Sequence, residues 1–261
     1  ITSIVNTVDG HVLSFVVVDR CPRASVGKFT RASKLNTSSY STISGTIDQV
    51  AQPVLAQIAD DSEREKRVFR KLMRFTAFLS FPAMFGLSLV SNEFILLTIG
   101  EKWTDCIPLL QVLCVGGAFF SFNTMYQQLA ISGGRSDIYM WCNIAQIVMQ
   151  ILLILLTCSY GIYVMVVAYT IFTVLWLAVW QWQAHRLIGI RIAEVLADTM
   201  PFMLSAAAVM VVTHLATRAI PSLALLLLSR IVIASLLYLA IMKIAKVEIL
   251  NECLRFVRKK K

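Results

Sequence analysis

Between Asp60 and Trp103 a dense run of charge passes directly into a long apolar segment, and this junction limits the chain to few architectures. From Phe75 to Ile99 the only formal charge is Glu93. At about 1.5 Å per residue such a stretch crosses a hydrocarbon layer of roughly 30 Å. Arg64, Lys66, Arg67, Arg70, Lys71 and Arg74 stand just before it. Basic residues beside a span stay on the cytoplasmic side, so Asp60 to Arg74 is predicted cytoplasmic and Gly100 to Asp105 extracytoplasmic. Asp60, Asp61 and Glu63 precede the bases, an order that suits a helix dipole and permits pairs such as Glu63 with Arg67.

Composition extends this reading to the whole chain. Of 261 residues 57% are hydrophobic, and the mean hydropathy is +0.72. One soluble core cannot hide that much apolar surface, so the expected fold is all-α, a polytopic transmembrane bundle of about eight spans. The net charge of +9 comes from bases in short runs between apolar segments. They act there as topology determinants and lipid headgroup contacts, and no nucleic-acid motif accompanies them. The six cysteines lack CxxC or Cys/His spacing and read as buried small hydrophobes. Ile1 is followed at once by apolar sequence without a signal-peptide pattern, so the chain reads as beginning inside a longer protein.

The predicted spans are 1–19, 39–59, 75–99, 106–131, 138–158, 161–182, 196–216 and 222–243, followed by a basic cytoplasmic tail, 244–261. The first carries Asn6, Asp9, Gly10 and His11 at its centre, a pattern suited to a wet cavity. A loop from Arg20 to Ser38 with five bases follows. The second span is polar, with Asp48, Gln52 and Gln57 forming one stripe on an interior face and Pro53 expected to kink it. Asp48 is the foremost intramembrane acid, and its plain structural partner would be a cation such as Arg230. Trp176, Trp180 and Trp182 read as an interfacial belt, and Gln183 to Val195 as an amphipathic surface segment. About two-thirds of the 24 Lys and Arg then fall on the cytoplasmic side, with both ends cytoplasmic; the five-base loop violates the rule unless it enters a cavity.

No nucleophile elbow, Walker loop, HExxH or ligand cluster is present, so no catalytic residue and no metal site is assigned. The bases from Arg20 to Lys34 are read either as a solvated loop or as an electropositive vestibule for an anionic headgroup such as a pyrophosphate.

Four strings, VGKFTRASKLN, YSTISGTIDQVAQPVLAQIADDSEREKRVFRK, FLSFPAMFGLSLVSNEFILLTIGEKW and IPLLQVLCVGGAFFSFNTMYQQLAISGGRSD, together resemble the C-terminal half of Wzx-type polysaccharide and lipopolysaccharide flippases. These form the WzxC-like branch of the multidrug/oligosaccharidyl-lipid/polysaccharide (MOP) exporter superfamily. The resemblance covers about Val26 to Asp137. It implies one lobe of a MATE-like transporter whose N-terminal lobe is missing here, in a bacterial inner membrane, moving a lipid-linked oligosaccharide by alternating access for surface polysaccharide biosynthesis. It implies no cofactor and no enzymatic step, and leaves coupling to an ion gradient open. Expected partners are membrane lipid, the lipid-linked oligosaccharide, the other lobe and other polysaccharide assembly proteins. By analogy with cavity arginines of related flippases, Arg31 and Lys34, with Arg20 and Arg23 behind them, are candidates for the anionic headgroup. Asp48, Gln49 and Gln52 are candidates for cavity lining and sugar contacts, and Pro53, Pro82 and Gly86 for hinge points. The alternatives are a drug or cation antiporter, and an integral-membrane glycan polymerase or ligase.

Overall fold

The computed structural model describes residues 23–245 apart from 59, 60 and 219, with side chains from residue 27 onward except 158. The predicted first span, Arg20 and most of the basic tail lie outside the described residues, as does the side chain of Arg23.

Seven α-helices account for nearly all of the described chain: α1 Arg23–Ala56, α2 Ser62–Thr98, α3 Cys106–Ser132, α4 Ser136–Thr157, α5 Ile162–Ile188, α6 Ile192–Ala216 and α7 Leu223–Ile244. No strand occurs among the described residues. Six of the helices, α2 to α7, are long and apolar enough to cross a membrane. The protein is a multi-pass membrane protein.

The helix boundaries follow from local chemistry. Asp61 caps α2 by accepting the Arg64 amide at 3.0 Å, and Glu63 and Glu65 occupy the first turn, where negative charge meets the positive end of the dipole. The basic run and the apolar span are one continuous helix of 37 residues, about 56 Å long. Gly100, Gly134, Gly161 and Gly189 all have positive φ and lie in the short joints between helices. Gly189 closes α5 in the left-handed conformation, its N–H donating to the His185 carbonyl at 3.0 Å.

That C-cap corrects one expectation. Gln183 to Val195 is not a surface helix: it is the last turn and a half of α5, a short bend and the first turn of α6. Ile188 and Ile190 are buried there and serve the bundle core, while Ile192 stays exposed. The tryptophan belt is corrected in the same way. Trp180 is buried and Trp176 packs on the core, leaving Trp182 exposed with the Arg186 guanidinium 3.7 Å from its ring centroid.

α3 is the hub. It packs on α1, α2 and α5, while α4 lies on α5, and α6 and α7 lie together against α2. Small residues permit this density. A Cβ on Gly117 would stand 2.6 Å from Asn36 Oδ1 on α1 and 2.5 Å from Met84 Cε on α2, so three helices meet where glycine leaves room. One turn on, Ser121 Oγ lies 3.1 Å from Ser44 Oγ and accepts from Ser80 Oγ at 3.3 Å, while Ser80 also donates to the Ala118 carbonyl at 2.8 Å. A knot of hydroxyls thus joins α1, α2 and α3 in their buried middle.

Outward faces differ sharply between helices. α4 to α7 expose Leu156, Leu175, Leu204, Val211, Leu228 and Leu236, the surface expected against lipid. α1 exposes mostly polar side chains, alongside Val50 and Val54.

Candidate functional site

α1 is the helix where sequence and burial disagree with a lipid surrounding. Its buried side is apolar in the main, with Phe29, Ala32, Ile43, Ile47, Ala51 and Leu55 pressed mostly against α3. Its free side carries Arg31, Lys34, Thr37, Ser41, Gln49 and Gln52, all exposed. Positions three and four apart share a face, so these side chains form one polar strip along the helix. Several hydroxyls are turned back on the helix itself: Ser39 donates to the Leu35 carbonyl at 2.9 Å, Thr42 to Ser38 at 2.8 Å and Thr46 to Thr42 at 2.9 Å. The amides and bases have no such outlet. A strip with their hydrogen-bonding demand is not stable in hydrocarbon and requires water or another polar surface.

This helix also corrects the sequence reading. Residues 23–38 are not a loop, since α1 begins at Arg23 and runs through to Ala56. Lys28, Arg31 and Lys34 are three residues apart, which places them together on one edge of a helix whose opposite edge buries Phe29 and Ala32. Charge density alone had suggested a loop. The helix spans 34 residues, about 51 Å, and its N-terminal half stands beside the α2 to α3 joint. There the Arg31 guanidinium lies 5.3 Å from the Trp103 ring centroid, and Lys28 forms an ion pair with Asp105. Lys34 is exposed one turn further in.

Asp48 lies half-buried at the margin between the two faces. Gln128 of α3 hydrogen-bonds to its carboxylate, while its Oδ1 is buried without a partner. Gln52 and Gln57, expected on an interior face with it, are exposed instead, Gln52 on the free side of α1 and Gln57 just past its end. Helices α1 and α2 run without interruption through Pro53 and Pro82. Gly86 faces α6, where a Cβ would make an ordinary 3.7 Å contact with Met210 Cε.

The expected partnership of Asp48 with Arg230 does not occur. Arg230 pairs with Glu93: Nη1 donates to Glu93 Oε1 at 2.7 Å and to the Leu89 carbonyl at 3.1 Å. Its Nε donates to Thr217 Oγ1 at 3.2 Å, and Nη2 lies 3.1 Å from His214 Nδ1. Both charges are almost wholly buried, at 6% and 2% exposure. This cluster was missed, although its signal was visible: Glu93 and Arg230 are isolated opposite charges, each alone inside an apolar span.

At the opposite end, the basic run of α2 is fastened to α6. Arg70 Nε donates to Asp198 Oδ2 at 2.6 Å and Nη2 to Oδ1 at 3.2 Å, while Arg74 Nε reaches Oδ1 at 2.8 Å. Lys66 Nζ lies 3.0 Å from Glu194 Oε2. The Arg191 amide donates to Glu194, and with Lys66 this holds the Glu194 carboxyl below its ordinary range. Glu65, in contrast, is buried with Oε1 unpartnered, and burial pushes its carboxyl up. A raised carboxyl costs stability once ionised, so the penalty is absent at low pH and grows as pH rises through the folded-state value. Glu65→Gln is expected to melt at a higher temperature than the parent at pH 7, with the difference vanishing near pH 4; thermal unfolding of the purified protein at both pH values checks this.

The comparisons with known proteins bear on the same stretch. Residues 1–108 match the family described as polysaccharide biosynthesis protein. The lipopolysaccharide biosynthesis protein WzxC of Escherichia coli K12 is 32% identical over 54% of this chain and 29% of its own length. Over its N-terminal half the chain is thus similar to polysaccharide and lipopolysaccharide biosynthesis proteins. The teichuronic acid biosynthesis protein TuaB of Bacillus subtilis is 24% identical over 70% of the chain and 38% of its own length. An uncharacterized membrane protein of the Klebsiella pneumoniae cps region is 29% identical over 57% of the chain and 31% of its own length. The chain thus spans about a third of the length of these curated relatives. Among solved structures, the lipid II flippase MurJ in its inward closed conformation superposes with a TM-score of 0.79 at 17% identity, over 94% of this chain and 52% of that one. The chain therefore shares its helical fold with about half of that flippase.

Proposed function

We propose that this chain is one lobe of an inner-membrane transporter that moves a lipid-linked oligosaccharide across the bilayer for surface polysaccharide biosynthesis. The observation that carries the reading is the free polar face of α1. In a two-lobed transporter that face looks into a water-filled cavity shared with the second lobe, while the leucine-rich faces of α4 to α7 meet lipid. Arg31 and Lys34 would meet the anionic pyrophosphate; Gln49 and Gln52, with Asp48 at the margin, would hydrogen-bond sugar hydroxyls. Arg23 begins the same helix, and Arg20 precedes it in the chain. Pro53, Pro82 and Gly86 would be the points where α1 and α2 bend as the lobe rocks. The basic end of α2 would face the cytoplasm. The names of WzxC and MurJ support the substrate class, and the polar face of α1 supports a headgroup pathway through this lobe.

The test is leaflet-resolved. In a host lacking the gene and any redundant flippase, lipid-linked oligosaccharide should accumulate on the cytoplasmic face and be cleared by the full-length gene. Arg31→Ala should clear it at least about tenfold more slowly, the loss of a charge-assisted contact of about 1.5–3 kcal/mol. Unchanged delivery to the outer face without the gene would refute the reading. The unpartnered Asp48 Oδ1 favours a second reading, a cation or drug antiporter. That reading requires Asp48→Asn to abolish drug efflux while polysaccharide export continues.

A further inference from the structure

The cluster around Arg230 has features that a purely structural ion pair does not need. Glu93 is 98% buried, yet its Oε2 makes no hydrogen bond. His214, by contrast, is exposed, two residues from the end of α6, and its Nδ1 is 3.1 Å from the buried Arg230 Nη2. Because a guanidinium only donates, Nδ1 must be the acceptor, which fixes the imidazole as neutral with its proton on Nε2. Glu93, His214 and Arg230 line an open recess of about 560 Å³ together with Asn92, Ser88 and Gln111. A buried, unpartnered carboxylate oxygen and a solvent-reachable imidazole thus border one recess, bridged by one arginine.

We infer that this recess is a proton-binding site, in which a proton taken up at His214 Nδ1 exchanges the His214–Arg230 hydrogen bond for one from His214 to Glu93. The step balances without any further reactant. Water on the α2 C-terminal side supplies the proton; Nδ1, now protonated, can no longer accept from Arg230. It becomes a donor, and Glu93 Oε2 is the acceptor left free. Arg230 keeps its charge and loses one of its four partners, and the site gains one positive charge. The charged groups facing His214 are Glu93 from α2 and Arg230 from α7; α3 offers only the uncharged Gln111, and Arg218 follows in the turn after α6.

The consequence falls on α7. Arg230 and Tyr238, whose hydroxyl donates to the Phe78 carbonyl at 3.1 Å, are the polar ties of α7 to α2 among the described residues. Arg230 also borders a mostly apolar groove of about 770 Å³ between α1, α2 and α7. Loosening its hold lets α7 shift against α2 and so couples external proton concentration to the width of that groove. As a coupling step this rests on the transporter reading above; the proton site itself does not.

The two are therefore tested separately. In the full-length protein in lipid nanodiscs, histidine-selective ¹⁵N labelling reports each imidazole, and His214→Asn, which keeps an acceptor at the Nδ1 position, assigns the His214 signals. Acidification from pH 8 to pH 5 should convert the His214 Nδ1 from an unprotonated acceptor to a protonated donor with a strongly downfield proton, and that resonance should be lost in Glu93→Gln. A His214 that stays unprotonated, or a downfield resonance that persists in Glu93→Gln, overturns the site. Should Glu93→Gln fail to fold, the pH response of the parent against His214→Asn decides alone. In proteoliposomes, an inwardly directed pH gradient should alter the parent's initial flipping rate, and the ratio of rates with and without the gradient should fall to one in His214→Asn. A ratio retained in that variant overturns the coupling and leaves the flipping assignment standing; absence of flipping by the parent refutes the transporter reading while the spectroscopic result still judges the site.

Discussion

Replacing Arg230 by methionine is expected to destabilise the protein by about 3–5 kcal/mol, the cost of leaving a buried charge without its partner. The two charges lie 2.7 Å apart with almost no access to solvent, so Glu93 in the variant would face an apolar wall and the neutral Thr217 and His214. It would then take up a proton or draw water into the recess, and either response consumes free energy. Removing both charges is a different matter. Glu93→Leu with Arg230→Met leaves no charge unpaired, and buried pairs replaced by apolar residues of similar volume are often neutral in stability. Thermal unfolding of the full-length protein in lipid should therefore rank the parent and the double variant together and Arg230→Met far below. If the single and double variants fall equally, packing and not charge compensation holds α7 in place.

The second large effect is on transport, with stability nearly unchanged. Gln49 and Gln52 are exposed, so Gln49→Leu with Gln52→Leu removes no contact within the lobe and should alter stability by no more than about 0.5 kcal/mol per site. If the strip lines a wet cavity, the same pair of changes places two apolar side chains in the path of a hydrated sugar. It also removes the amides that would replace the sugar's water. Each lost hydrogen bond to a polar ligand is worth about 0.5–1.5 kcal/mol, so export should fall by roughly tenfold or more. A lipid-facing strip would give the opposite pattern, with stability rising and export unaffected. Measuring export of the lipid-linked oligosaccharide beside the melting temperature separates the two cases.

How far the chain could be read before its structure follows from the kind of signal each feature leaves. Membrane helices announce themselves by length and apolarity, so α2 to α7 were legible and their joints at Gly100, Gly134 and Gly161 fell where expected. The N-terminal extension of α1 was not, because five bases between residues 20 and 34 look like a solvated loop unless their three-residue spacing is weighed against Phe29 and Ala32. Gln183 to Val195 misled for a related reason: its alternating polarity marks a helix end, a bend and a helix start, each with one buried face. The candidate site was partly legible. Polarity in a span pointed to α1, but which side of α1 stays free depends on its packing against α3, which no local pattern reveals. Glu93 and Arg230 are 137 residues apart, and assigning Arg230 to Asp48 shows how little sequence constrains partners at that distance.

The central claim is that the free face of α1 meets water inside the membrane. It is tested most directly by cysteine scanning along α1 in the full-length protein, with the native cysteines replaced and a membrane-impermeant thiol reagent applied to intact cells and to inverted vesicles. The account predicts labelling at positions 31, 34, 37, 41, 49 and 52 from one side or the other, protection of those positions by lipid-linked substrate, and no labelling at 29, 32, 47, 51 and 55. Exposed positions that react only with lipid-soluble reagents, or labelling spread evenly around the helix, would contradict it.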